Sequence, residues 1–208
     1  MKIGMIFECG PDGADQQVCI TLASRLSPGI ETSHVTLDNK PKLIRDCGEA
    51  TKKLLVVDEC LHVFIIWDLY PAWREKGVRP CLKEDRDAIF ESLDGASVDS
   101  SKVTLVCIKE ELEAWLIADH RALSAVLSTP AHPVWARKHK KPEEVCNPKK
   151  TLTSMFRSSR HKMYVDRWHA IQIVKALPDM GRLGRLPSFQ RFSETLETIE
   201  EMTASAEL

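Results

Sequence analysis

The sequence predicts an α/β fold, with a mostly parallel sheet flanked by helices and a helical C-terminal appendage. Three observations predict it. Short apolar runs rich in β-formers alternate with segments whose apolar residues recur at helical spacing. The strongest run, Leu61–Trp67 (LHVFIIW), is apolar throughout rather than alternating, which marks a strand buried on both faces, as in a parallel sheet covered by helices. Prolines then cluster after Ser128 and strand patterns cease.

The elements follow in order. Lys2–Phe7 (KIGMIF) reads as a buried strand, and Cys9–Gly13 as the turn that leaves it. Ala14–Leu26 carries Val18, Leu22 and Leu26 on one helical stripe and is ended by Ser27, Pro28 and Gly29. Ile30–Leu37 reads as a second strand and Lys42–Asp58 as a helix led in by Pro41. After Leu61–Trp67 come a helix over Glu84–Leu93, a strand over Val103–Ile108 and one amphipathic helix over Glu110–Leu127. Beyond it, the Asn147-Pro148 pair starts a helix running through Thr151–Arg160. Val165–Leu177 is the next helix, and Ser188–Met202 the last, capped by Ser188. The expected division is an α/β core over 1–127 with a helical extension over 128–208 packed on it.

Composition excludes several classes. The 208 residues are 43% apolar and 28% charged, ordinary for a globular chain and wrong for a collagen or a disordered one. No apolar run approaches the ~20 residues of a membrane helix, and no basic segment feeds an apolar one as in a secretory signal. Seven cysteines without a C-x-x-C pair predict reduced thiols in a cytoplasmic protein. Cys107 reads as core, and Cys9 adjoins the candidate site. The net charge of −1 conceals a basic stretch, from Arg137 to Arg167, interleaved with Trp135, Phe156, Tyr164 and Trp168. A solvated helix face and a phosphate-contact surface both account for it. His132, His139, His161 and His169 fall in this third and read as polar surface residues.

Candidate chemistry lies where strands end. In open α/β sheets functional residues gather beyond the carboxyl ends of the strands. The first strand ends in Glu8, the third in Asp68, and the fourth near Glu110, Glu111 and Glu113. Converging carboxylates need a counter-charge, and a hard divalent cation supplies one. Phosphoryl transfer or phosphodiester cleavage is the chemistry such a centre suits. The chain contains no G-x-G-x-x-G, no G-x-x-x-x-G-K-[ST] and no G-x-S-x-G, so a dinucleotide site, a P-loop and a hydrolase elbow are not expected. Trp115 and Asp119 lie one helical turn apart, which also fits packing and capping roles.

Five segments carry a family resemblance: I-F-E ending in Glu8, I-I-W-D-L-Y-P with Asp68, E-L-E-A-W-L-I-A-D over Glu111–Asp119, N-P-K-K-x-L from Asn147, and P-S-F-x-R-F from Pro187. Together they resemble a bacterial group of TOPRIM-like proteins, related to the overcoming-lysogenization-defect nucleases. The resemblance implies a TOPRIM-like core in which Glu8 is a metal ligand or general acid/base and Asp68 a magnesium ligand. With Glu113 added as a catalytic candidate and Glu111 as a further metal ligand from the strand-end acids, the expected ion is magnesium or manganese. The resemblance also implies an ATPase partner, in some relatives within phage-defence loci. The chain departs from the family pattern at Tyr70, where the second aspartate of the D-x-D pair belongs. Glu84, Asp85, Asp87, Glu111 and Glu113 are the candidates for the missing ligand. Lys149, Lys150, Arg157 and Arg160 are expected to hold a nucleic-acid backbone. The functional expectation is a metal-dependent nuclease. The alternatives are a non-catalytic module regulating an ATPase, and an enzyme acting on small phosphate compounds.

Overall fold

The computed structural model describes residues 1–72, 79–159 and 163–206. Arg160 and His161 lie outside them. Four strands, β1 (Lys2–Phe7), β2 (Glu31–Thr36), β3 (His62–Asp68) and β4 (Val103–Ile108), form one sheet in the order β2-β1-β3-β4. Every pairing is parallel, with Phe7 opposite both Thr36 and Ile66, and Asp68 opposite Ile108. All carboxyl ends therefore meet at one edge. The order reverses between β1 and β3, and the crevice at such a switch point is where open α/β sheets bind ligands.

Among the described residues eight α-helices flank the sheet: α1 (Ala14–Leu26), α2 (Lys40–Val56), α3 (Leu82–Gly95), α4 (Glu113–Leu116), α5 (His120–Leu127), α6 (Pro148–Ser158), α7 (Asp166–Lys175) and α8 (Pro187–Ala206). Residue parity along β1 decides which layer each side chain joins. Ile6 points, with Val63, Ile65, Trp67 and Leu105, into a core shared with α2 and α3. Ile3, Met5 and Phe7 point the other way, into a larger core holding Phe64, Ile66, Trp115, Phe156, Phe189 and Phe192. The helices after Ser128 thus cover one face of the sheet together with α1, α4 and α5. Arg25 of α1 fastens them, donating to the carbonyls of Val174 (2.6 Å) and Leu177 (2.8 Å) at the end of α7. Among the described residues no helix is long and apolar enough to cross a membrane, and all seven cysteines are free thiols.

Three expectations need correction. The single helix over Glu110–Leu127 is two, α4 and α5, broken at Asp119, whose extended backbone and side chain cap α5 by accepting from the Arg121 N–H at 2.8 Å. The reason lies in Leu112 and Ala114–Ala118, which are all buried, so this stretch has no polar face for a straight surface helix. Ser188 does not cap α8. The helix begins earlier, with the Gln190 N–H on the Leu186 carbonyl at 2.8 Å, and the Ser188 hydroxyl is used elsewhere. His169 is no free surface residue; it packs 4.5 Å from the Phe156 ring and stacks on Tyr164. The other element ends differ from expectation by a few residues.

Helices α2 and α3 approach closely at Gly48, whose N–H bonds to Ser92 Oγ at 3.1 Å. A Cβ at position 48 would stand 2.0 Å from the Ser92 carbonyl oxygen, which is backbone and cannot swing away. Gly48→Ala therefore destabilises the fold by about 2–3 kcal/mol through overpacking. Gly95→Ala, where a Cβ meets nothing within 4 Å, changes little. Thermal melts of the two variants check this.

Candidate functional site

The first residue past β1 and the last of β3 are both acids, and parallel pairing sets them side by side at the switch point. A cleft of about 240 Å³ opens there, lined by Asp15, Asp68, Glu111, Glu113, Lys149 and Asp166. Three helix starts build its walls. The turn after Glu8 leads into the first turn of α1, which brings Asp15. The short α4 brings Glu113, itself only 4% exposed. Helix α6, capped by the left-handed Asn147 whose side chain accepts from the Lys150 N–H at 3.0 Å, brings Lys149.

Electrostatics divide these groups in two. Glu8 is half-buried and is not among the lining residues. Burial pushes it up to about 7, Lys40 pulls against that, and Asp15 adds to it. Asp68 is held well above the carboxylate range, first by burial and then by Asp15, Glu8, Glu113 and Glu111. Burial likewise brings Glu113 to about 7 and Asp15 to about 6. One oxygen of each central acid, Glu8 Oε2 and Asp68 Oδ1, is buried with no hydrogen-bond partner. The outer group is satisfied. Lys149 Nζ donates to Asp166 Oδ2 at 2.7 Å and stands 3.9 Å from Glu113 Oε1. Burial would raise Asp166, but the Lys149 bond and the Arg167 N–H hold it below its ordinary value.

Below the cleft, Lys40 is a buried cation. Its Nζ donates to the carbonyls of Leu69 and Pro71, both at 2.6 Å, and lies 3.6 Å from Asp85 Oδ2. It thereby ties down the turn that leaves Asp68.

The expected residues are distributed as follows. Asp68, Glu111 and Glu113 line one cleft, and Glu8, the first residue past β1, is not among its lining residues. Of the candidates for the missing ligand, Asp85 is buried against Trp67 Nε1 (3.0 Å) and Lys40, and Glu84 and Asp87 are exposed. Glu111 and Glu113 alone of that set reach the cleft, and Tyr70 is 38% exposed beyond it. Lys149 faces carboxylates. Lys150 and Arg157 are exposed on α6, Arg157 about 12 Å further along the axis than Lys149. Arg160 lies outside the described residues. Trp115 is buried and Asp119 caps, so that pair is structural. The Cys9 thiol, though it lines the cleft, is pushed up to about 12 by burial and stays protonated.

Sequence reasoning missed Asp15, Asp166 and Lys40. Asp15 had a signal, being the acid in the first turn of the helix after β1, where a Rossmann-type turn meets its ligand. Lys40 had none.

The donors are hard oxygens of the kind magnesium and manganese take. Two are buried and unpartnered, a state that costs free energy until a cation or proton relieves it. The residues thus fit such an ion, although among the described residues no three His, Cys, Asp or Glu side chains already stand as a ready ligand set. In comparisons with known proteins, the chain matches no family model and no curated sequence.

Proposed function

We propose that the chain is a TOPRIM-like, divalent-metal-dependent phosphodiesterase that acts at the β1/β3 switch point. The observation that carries this reading is the pair of buried, unpartnered oxygens, Glu8 Oε2 and Asp68 Oδ1. Asp68 and Glu8 hold the metal, with Glu111 supplying a further oxygen from the cleft wall. Magnesium or manganese bound there polarises a phosphoryl oxygen and acidifies water. Glu113, brought to about 7 by burial, exchanges a proton at its carboxylate near neutral pH. Lys149 neutralises Asp166 and Glu113, and Arg167, at the cleft's mouth, meets a substrate phosphate. Lys150 and Arg157 extend the positive track along α6, which suits a polymer more than a mononucleotide.

A second reading is favoured by Lys149, a built-in counter-charge that lets the cleft persist without metal. The fold then serves as an interaction module for an ATPase partner. Manganese titration by calorimetry decides between them. On the enzyme reading the wild type binds, and Asp68→Asn and Glu8→Gln each weaken binding by about tenfold or more while circular dichroism stays native. A wild type that takes up no manganese at millimolar concentration would leave the module reading standing. Cleavage of single- and double-stranded oligonucleotides, against mononucleotides as control, then identifies the substrate.

A further inference from the structure

A separate cavity, of about 590 Å³, opens beside the carboxyl end of the edge strand β4. That volume lies within the range of small-ligand sites. Its inner wall is apolar, built from Leu69, Leu82, Ala118, Pro142 and Leu186. Around it stand Lys109, Lys138, Lys140 and Arg185, all exposed and none in an ion pair among the described residues.

Two polar features are built into the interior. Ser188, 8% exposed, accepts the indole N–H of Trp115 at 2.7 Å. An indole nitrogen only donates, so the hydroxyl proton is directed to Glu143, whose Oε1 accepts it. Glu143 is itself only 8% exposed, and no described residue bonds to its Oε2. Beside it, His139 lines the cavity with a buried, unpartnered Nε2.

A ligand that satisfies this site carries three things: a flat apolar body, N–H donors for a carboxylate, and anionic oxygens for the cations. Inorganic phosphate has no use for the apolar wall. A fatty acid leaves Glu143 Oε2 without a donor, which costs affinity. We propose that the cavity binds a nucleoside phosphate, with the base against Leu82 and Leu186, its N–H edge on Glu143, and its phosphates on Lys140 and Arg185. Guanine, with two adjacent N–H donors, matches a carboxylate best. The site shares no lining residue with the acidic cleft, so it stands or falls apart from the metal reading.

The test is equilibrium binding of GMP, AMP and inorganic phosphate in EDTA, followed by calorimetry. GMP is expected to bind, more tightly than AMP, and phosphate to bind far more weakly. The exposed pair Lys140→Ala/Arg185→Ala should weaken GMP by about tenfold, and Glu143→Gln should erase the preference over AMP. Asp68→Asn should bind GMP as the wild type does. Should Glu143→Gln fail to fold, the rim pair and the wild-type base preference still decide. The proposal is overturned if GMP shows no saturable binding up to about 5 mM, if the rim pair binds it unchanged, or if AMP or inorganic phosphate binds as tightly.

Discussion

Without divalent metal at pH 8, the Asp68→Asn protein melts about 5 °C above the wild type. The expectation comes from charge, not packing. Glu8 and Glu113 rise from 4.5 to about 7 in the folded chain, Asp15 from 3.8 to about 6, and Asp68 moves the same way. Between the unfolded and folded values, roughly pH 4.5 to 7, the native state holds protons that the unfolded state has released. Stability is therefore fullest below pH 4.5 and is lost as the pH rises through 7. An asparagine at position 68 is neutral in both states, so it escapes the cost of charging or protonating a buried acid, and its amide donates into neighbouring carboxylates. Relief of about 2 kcal/mol shifts the midpoint of a chain this size by roughly 4–8 °C. On the enzyme reading, divalent metal reverses the order: bound to the deprotonated site, it is expected to stabilise the wild type more at pH 8 than at pH 5 and to add little to Asp68→Asn. Melting curves at both pH values, with and without manganese, check all four corners. A wild type that melts higher at pH 8 than at pH 5 without metal would contradict the burial argument.

Lys40→Met is expected to be the most damaging single change near the site. Both members of the Lys40–Asp85 pair are almost wholly buried, with side chains 3% and 2% exposed. Methionine keeps the volume but leaves Asp85 without its cation and the Leu69 and Pro71 carbonyls without their donor. Breaking a buried pair in this way costs about 3–5 kcal/mol, a fall of roughly 10 °C. Asp85→Asn in the same background recovers part of it, because the orphaned charge is gone and the Trp67 N–H keeps an acceptor. Denaturant melts of the two single variants and the double variant measure the coupling. A functional effect accompanies the structural one. Lys40 holds the Glu8 carboxyl down, so without it Glu8 stays protonated to higher pH, and on the enzyme reading manganese affinity at pH 7 is expected to fall, although Lys40 is no ligand.

The sequence exposes β1, β3 and β4 because strands covered on both faces are apolar without interruption, a local signal. Glu8 and Asp68 are legible for the same reason, since each interrupts such a run. Helix α2 is announced by Pro41, and α6 by Asn147 and Pro148, because helix starts are local chemistry too. The rest of the site is set by the tertiary arrangement. Asp166 lines the cleft and meets Lys149, 17 residues away. Lys40 reaches 29 and 31 residues along the chain to its acceptors. The break at Asp119 was hidden because a stretch buried on every side has the composition of a helix without its amphipathic rhythm. The basic stretch, read from composition as one surface, is divided by packing. Phe156 and Tyr164 are core, whereas Trp135 and Trp168 are 89% and 65% exposed.

Arg25 bridges 149 and 152 residues to reach its two carbonyls, and Ile3 of β1 shares a core with Phe192 and Leu196 of α8. Closing loops of that length is entropically slow. During synthesis the sheet emerges with α1 to α5, but the larger core stays incomplete until α7 and α8 supply Ile173, Phe189 and Phe192. The chain is thus a natural client for a holdase over that interval. A nascent chain halted before Pro187 should stay protease-sensitive around the larger core, which lacks Phe189, Phe192 and Leu196 until α8 is made, while the layer of α2 and α3 is the better protected part.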